Sequence, residues 1–389
     1  MKIFICIVSA QTLQNLIPVY IEKNRYSGFG AAHLVVTDFM KGKSGLLSKN
    51  LEELGVQVIE HPVTDGVLFN ALLERAQGIA EEIKTRYDRK TEFVFNLTGG
   101  TKLLSLGFYQ CFRKQFNQEL ENKTFYYSYT DTENKRIEYL DYPDESIPME
   151  NDLTIKHYLD AQGFKVSSVL SDDPHWLQKV TQREVITQWL GANSKKLQGF
   201  FKVINALTYS AINNSQMSQN FSSEQIGFGQ KALILLAKHK VIKWTQSDPK
   251  KIEFCDVDSA KYLNGLWLEE YVYLIALQTS SCEVKCGIGV TFGSTPNEFD
   301  LLITHCNKLL VIECKTLRFD KYGDSKEQDV LNKLDLLSKK VGGLFGENIL
   351  LSLQPLSQTA KDRAKNYRIT LIEEDFSTLP STIKGLLKF

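Results

Sequence analysis

The chain has 389 residues, 43% of them hydrophobic and 24% charged, with 46 basic and 46 acidic side chains. That length predicts two or three domains with cores of their own, and the zero net charge excludes capture of nucleic acid by a global basic field, so any polyanion site is a local patch. Seven cysteines that stand singly or in apolar strands, with no Cys-x-x-Cys pair and no histidine cluster near Cys282 and Cys286, argue against a zinc site or disulfide framework and suit a reducing cytoplasm.

The chain opens Met-Lys-Ile-Phe-Ile-Cys-Ile-Val, too short and too β-branched for a signal peptide, and no apolar run approaches membrane-spanning length. Short β-rich runs at Ile3–Val8, His33–Thr37, Gln57–Pro62 and Phe93–Leu97 alternate with helical patterns at Leu13–Glu22, Leu46–Leu54, Val67–Arg86 and Lys102–Gln115. Such alternation predicts a parallel sheet with helices on both faces, and ligands on such sheets bind beyond the carboxyl ends of the strands. Two loops there carry chemistry. Ser9-Ala10-Gln11-Thr12, with Asn15 a turn into the helix, lacks Gly-x-Gly-x-x-Gly, which disfavours a dinucleotide. Asn96-Leu97-Thr98-Gly99-Gly100-Thr101-Lys102 ends a strand and opens a helix. Its glycines and helix N-terminus offer N–H groups to an anion, with two hydroxyls and a lysine beside them. The spacing is not that of a Walker A loop, and a tight turn with a threonine cap is the purely structural alternative.

The strand–Asn-x-Thr-Gly-Gly-Thr-Lys–helix arrangement resembles the CARF domain, the CRISPR-associated Rossmann fold, over roughly residues 1–145. The resemblance implies that these loops cradle a cyclic oligoadenylate across the two-fold axis of a homodimer. Ser9, Gln11, Thr12 and Asn15 then face the ligand, and Thr98, Gly99, Gly100, Thr101 and Lys102 lie beneath its phosphates. Thr37 and Asp38, at the next strand end, and Asp65 are further candidates.

Strand-like Phe125–Tyr129 and Ile137–Leu140 close the first domain, and Pro143 to Pro148 reads as a linker. Over residues 150–260, a helix at Lys231–Lys240 precedes Val241–Gln246 and Lys251–Cys255, which flank a turn at Ser247-Asp248-Pro249-Lys250. Helix then basic hairpin predicts a winged-helix-like module, read as a packing spacer with nucleic-acid binding as the alternative, and no chemistry is assigned to it.

In the last third, residues 261–389, Phe299–Ile303 and Leu309–Cys314 flank a polar turn at Cys306-Asn307, a hairpin signal. In a symmetric turn Asp300 lies opposite Glu313, and alternation puts Glu298, Asp300, Glu313 and Lys315 on one face. Opposed carboxylates repel across a ladder, and a hard divalent cation with a nearby lysine compensates them. A solvated face with a surface ion pair is the bland alternative; the nearly continuous apolar runs argue for buried strands instead. Asp300 followed by Glu313-x-Lys315 resembles the PD-(D/E)XK nucleases, and Gly265-Leu-Trp-Leu-Glu269 is similar to the helix from which that family adds a glutamate. The Pro-Asp pair of the family is absent, since three residues separate Pro296 from Asp300. The resemblance implies a catalytic set of Glu269, Asp300, Glu313 and Lys315, with Mg²⁺ or Mn²⁺ on Asp300 and Glu313 and Lys315 positioning the attacking water. Glu298, one pair along from Asp300 and opposite Lys315, is read as that lysine's partner, with a second metal ligand as the alternative. Arg318 and Lys321 are placed within reach of substrate phosphates, and Lys333 of the Asn332-Lys333-Leu334 helix is aimed at the site.

The expected fold is therefore α/β: a Rossmann-like CARF sensor, a winged-helix-like spacer and a restriction-endonuclease-like domain. Together the two resemblances point to the ancillary nucleases of type III CRISPR systems. They imply a homodimer activated by a cyclic oligoadenylate (cyclic tetra-adenylate fits a two-fold axis best) that cleaves single-stranded DNA or RNA or plasmid DNA, away from any membrane. A HEPN ribonuclease would need Arg followed by His after four to six residues, which does not occur. A non-catalytic, nucleotide-sensing DNA-binding regulator is the alternative.

Overall fold

The first strand, β1 (Lys2–Ile7), reads KIFICI and is buried except at Lys2, as a strand covered on both faces must be. It pairs in parallel with β2 (Ala31–Thr37) on one side and β4 (Glu92–Asn96) on the other. With β3 (Gln57–Val63), β5 (Phe125–Asp131), β6 (Arg136–Tyr139) and β7 (Ile147–Pro148) it forms a seven-stranded sheet, order β3-β2-β1-β4-β5-β6-β7, whose last two strands run antiparallel to their neighbours. The helices are α1 (Leu13–Arg25), α2 (Lys41–Glu53), α3 (Phe69–Arg86), α4 (Lys102–Phe116) and α5 (Ile155–Gln162). This computed structural model describes residues 1–387 except 67, 89, 117–124, 151–152, 223–228, 280–282 and 317–323.

Phe108, Phe112 and Phe116 recur every fourth residue of α4 and stack on the sheet, Phe112 on Phe95 and Phe116 on Phe125, with ring centroids 4.9 and 4.3 Å apart. On β2 and β3 two histidines are wholly buried: His33 Nδ1 lies 2.7 Å from His61 Nε2, and His33 Nε2 lies 2.8 Å from the Tyr87 hydroxyl. The expected linker at Pro143–Pro148 is instead part of the sheet. Ile147 and Pro148 pair with β6, at an edge where proline's missing N–H is tolerated.

Two compact units make up the chain: Met1–Phe164 with Gly343–Phe345, and Lys165–Gly342 with Gly346–Phe389. Helix α5 packs on α2 inside the first, so that unit runs past residue 145. In the second, a six-stranded sheet has the order β16-β15-β14-β13-β12-β8. Its strands are β8 (Phe164–Val169), β12 (Glu283–Phe292), β13 (Thr295–His305), β14 (Lys308–Lys315), β15 (Gly346–Ser352) and β16 (Thr370–Glu373). A small sheet, β10 (Ile242–Lys243), β11 (Lys251–Phe254) and β9 (Ser218–Asn220), follows α6 (Pro174–Ala192) and α7 (Gln198–Asn213) and flanks α8 (Gln230–Lys238). Then come α9 (Val257–Lys261), α10 (Trp267–Thr279), α11 (Asp324–Gly342), α12 (Gln358–Asn366) and α13 (Leu379–Leu387). The helix-and-wing segment shares a continuous hydrophobic core with the large sheet, running from Trp176 through Phe201, Ile252 and Trp267 to Ile312 and Leu387. It is not a spacer with a core of its own. No helix among the described residues is long and apolar enough to cross a membrane.

Candidate functional site

The hairpin β13–β14 turns at Cys306 and Asn307, both at positive φ, 46° and 54°, the conformation of a type I′ turn. Its register runs from His305 opposite Lys308 to Leu301 opposite Ile312. Beyond that pair the backbone ladder stops. The next amide along β14, that of Cys314, donates to the Asp300 carboxylate at 2.7 Å. Asp300 thus stands in for a backbone acceptor where the strands part, and Glu313 and Lys315 project at the same fork. Lys315 Nζ lies 2.6 Å from Glu313 Oε1 and 3.6 Å from Asp300 Oδ2, and donates to the Cys314 carbonyl at 3.1 Å.

Glu269 enters from α10. Before it, Tyr262–Leu266 forms a π-turn with Gly265 at φ 154°, backbone open only to glycine. π-turns recur at functional sites because they re-aim the residues that follow. Burial, with the charges of Asp300 and Glu298, pushes the Glu269 carboxyl up to about 9, so it holds its proton at neutral pH. Burial and Glu313 push Asp300 up to about 6. Burial alone would lower Lys315, but Asp300 and Glu313 outweigh it and hold the ammonium charged. One lysine against this many acids leaves negative charge uncompensated, and every side-chain donor other than Lys315 is a hard oxygen. That chemistry fits Mg²⁺ or Mn²⁺. Among the described residues no three or more His, Cys, Asp or Glu form a ready-made chelate; an ion of this type keeps waters and substrate phosphate oxygens, so two carboxylates suffice.

Two expectations differ from the structure. Lys315 pairs with Glu313 and Asp300 rather than Glu298, because the parting of the strands leaves Glu298 exposed opposite Gly289 of β12. Lys333 is exposed and makes no contact with the acids among the described residues, while Asn332 accepts from Arg363 and Tyr367 at 3.1 and 2.9 Å and ties α11 to α12. Arg318 and Lys321 lie outside the described residues. One functional neighbour was not foreseen. Glu270, beside Glu269, is buried in a bidentate pair with Arg183, whose guanidinium also stacks 4.3 Å from the Tyr262 ring.

In the first unit the loops meet at the carboxyl ends of β1, β2 and β4. Gly99 lies so close beneath β1 that a Cβ there would sit 2.1 Å from the Ile7 carbonyl oxygen, and Gly100 has φ +84°. Neither tolerates a side chain. Asn15 does not face outward: it is fully buried, donates to Ile7 O at 3.1 Å and accepts from Asn96. Thr98 is likewise engaged, donating to Asn96 Oδ1 at 2.6 Å and accepting from the Thr130 amide at 2.7 Å. Thr101 caps α4 through the Leu104 amide. Thr37 is buried, and Asp38 is exposed with its charge on Lys41 at 2.8 Å. Asp65 accepts from the Phe39 amide and braces the loop after β2. Ser9 and Gln11 are half-buried; the Thr12 hydroxyl is buried with no hydrogen-bond partner. Gly100, Thr101 and Lys102 are exposed, and so are Phe39, Leu103 and Leu106, apolar residues that polar-motif reasoning passes over.

A Rossmann-like sheet with a glycine-containing loop opening α4, joined in one chain to a carboxylate–lysine fork on an antiparallel hairpin, is the architecture of a CARF domain coupled to an endonuclease domain. Residues 3–158 match the family described as the Card1 CARF domain, and residues 256–386 the Card1-like endonuclease domain. The two matches together cover well over half of the chain, which belongs to the proteins that join these two domains. The structure of protein VC1899 from Vibrio cholerae is similar over 100% of this chain and 98% of that one, at 21% identity and a TM-score of 0.83. Can2 from Sulfobacillus thermosulfidooxidans, solved with cyclic tetra-adenylate, is similar over 100% and 97%, at 24% identity and a TM-score of 0.77. A type III CRISPR defence DNA nuclease activated by cyclic oligoadenylate matches 90% of this chain but 45% of its own length, at 16% identity and a TM-score of 0.51. No protein among the curated sequences matches the chain.

Proposed function

We propose that this protein is a metal-dependent nuclease of type III CRISPR defence, switched on by a cyclic oligoadenylate bound to its N-terminal domain. The observation that carries the nuclease reading is the fork at Asp300, Glu313 and Lys315, three charges drawn together where the β13–β14 ladder ends. Asp300 and Glu313 would hold Mg²⁺ or Mn²⁺, which when bound polarises a phosphoryl group and acidifies a water. Lys315 keeps its proton, orients the attacking water and faces the charge that develops on the phosphate. Glu269, protonated in the free protein, supplies a further oxygen beside the scissile group and gives up its proton when positive charge enters the site.

For the sensor, support comes from the exposed Lys102 and Gly100 at the start of α4, the unpartnered Thr12 hydroxyl and the nucleotide bound to Can2. Cyclic tetra-adenylate is the proposed activator, lying between two copies of this chain, with Phe39, Leu103 and Leu106 covered by the second copy.

The test is cleavage of labelled single-stranded DNA, single-stranded RNA and supercoiled plasmid, with Mn²⁺ or Mg²⁺, with and without cyclic tetra-adenylate. Cleavage that needs both metal and nucleotide is the expected result. Nucleotide binding with no cleavage of any substrate would move the chain to the non-catalytic regulators, and metal-dependent cleavage indifferent to nucleotide would remove the sensor.

A further inference from the structure

The net charge of the chain is zero, but residues 230–251 carry six lysines against a single aspartate. The fold gathers these lysines on one surface of the second unit. Helix α8 buries Ala232, Leu233 and Leu236 and turns Lys231, Ile234 and Lys238 outward, one stripe at helical spacing. It ends in a Schellman turn, with Lys240 N–H on Ala237 O at 3.1 Å and Val241 N–H on Leu236 O at 3.0 Å. Lys240 holds the left-handed position, at φ 57°, and extends the stripe toward the wing.

The wing is the hairpin of β10 and β11, in which Lys243 faces Glu253 and Lys251 faces Asn220 of β9. Ile242, Ile252 and Phe254 point inward to the core, so Lys243 and Lys251 share the outer face. Trp244 is buried and donates from its indole to Pro249 O at 3.1 Å, which pins the wing tip and presents Lys250. Lys243 is neutralised by Glu253. Lys238, Lys240, Lys250 and Lys251 are exposed and make no ion pair among the described residues.

We infer that the outer face of α8 and the adjoining wing form a docking surface for the phosphate backbone of duplex DNA. This rests on the nuclease reading above and deepens it, because a cation-poor catalytic fork gains hold on a polyanion from a separate basic surface on the same unit. Duplex is favoured over a single strand for two reasons. A rigid helix and hairpin present lysines at fixed separations to a regular row of phosphates. Among the described residues, α8 and the wing also expose no Phe, Tyr or Trp on which unpaired bases would stack: Trp244 is turned inward, and the half-buried Trp189 of α6 lies beneath Lys231.

The experiment uses the full-length protein in EDTA, so that binding is read without cleavage. A labelled 30-base-pair duplex and, in a second arm, a labelled single-stranded RNA are titrated by fluorescence anisotropy over a salt series, for the wild type and for K238Q/K240Q/K251Q. Losing three phosphate contacts lowers the slope of log K against log[salt] by about 3 and the affinity at 0.1 M salt by at least about tenfold. Equal affinity and equal slope for the two proteins would overturn the proposal. So would a loss confined to single-stranded RNA. The Glu313→Gln variant is titrated in parallel: if it keeps the duplex affinity but the wild type cleaves nothing when metal is restored together with cyclic tetra-adenylate, the nuclease reading fails while the docking surface stands. The three lysines are exposed, and a melting curve verifies that the triple variant is folded.

Discussion

The amide of Cys314 donates to the carboxylate of Asp300 at 2.7 Å, so a backbone group of one strand is satisfied by a side chain of the next. This bond keeps β13 and β14 apart at the fork and fixes Asp300 beside Glu313 and Lys315. Asp300→Asn leaves an oxygen for the amide and removes a charge that burial and Glu313 already oppose. Cleavage is expected to fall at least about 10²-fold, with a melting temperature no lower than that of the wild type. A marked drop in melting temperature would mean that the carboxylate is needed for folding.

Cation binding should expel a proton. With its carboxyl raised to about 9, Glu269 is protonated at pH 7.5 in the free protein, and a neighbouring cation favours the ionised form. Calorimetric titration of Mn²⁺ in buffers of different ionisation enthalpy should report about one proton released per ion at that pH, fading as pH rises past 9. Glu269→Gln should abolish the release.

The buried ion pair behind α10 has a distinct signature. Arg183→Met strands the Glu270 charge in the core and should destabilise the second unit by about 3–5 kcal/mol. The double variant R183M/E270L should recover most of that loss, because the cost lies in the unpaired charge rather than in the missing attraction. Chemical denaturation of the four proteins of the cycle measures both terms.

Acid should weaken the first unit through its histidines. One set of neutral tautomers satisfies every contact: Tyr87 O–H donates to His33 Nε2, His33 Nδ1–H to His61 Nε2, and His61 Nδ1 faces Glu82 at 3.6 Å. Burial, then the neighbouring His61 and Arg86, depress His33 from 6.5 to about 3. Its folded value lies below its unfolded one, so its contribution is complete above pH 6.5. As pH falls below that, the unfolded chain binds the extra proton and stability drops by about 1.4 kcal/mol per unit until pH 3. The first transition of a urea series between pH 7 and 5 reads the slope, and His33→Gln should flatten it by one proton's worth.

In the sensor loops, Lys102→Ala should weaken cyclic tetra-adenylate at least about tenfold, as loss of a charged hydrogen bond does, with the melting temperature unchanged. Gly99→Ala should lose both ligand and stability, since its methyl would overlap the Ile7 carbonyl. Isothermal titration with a melting curve separates the two behaviours.

The hairpin that carries the fork was legible because a polar two-residue turn between apolar runs sets its own register, and Leu301 opposite Ile312 follows from Cys306 and Asn307 alone. The assignment of Glu298 to Lys315 assumed that the ladder continued, whereas pairing ends at Leu301 and Ile312 and the Cys314 amide turns to Asp300. Strand–helix alternation likewise located the loops around Ser9 and Gly99, but Asn15 and Thr98 look like ligand groups in any list of polar residues. Asn15 is instead buried and Thr98 bonded to Asn96 and Thr130, contacts set by tertiary distances such as that of Gly99 to Ile7. Residues 165–260 have the periodicity of helices with an apolar face, and periodicity does not say which surface that face covers. Here it is the core of the large sheet.

Glu269 and Glu270 are adjacent and chemically identical, and the π-turn at Tyr262–Leu266 decides which of them meets Asp300 and which meets Arg183. Helix phase is therefore the selector: removing one residue from that turn rotates α10 by about 100°, trading a proton-holding acid for a salt-bridged one. A single-residue deletion at Gly265 would leave every catalytic side chain in the chain, yet carry Glu270 to the place of Glu269 and set Tyr271 opposite Arg183.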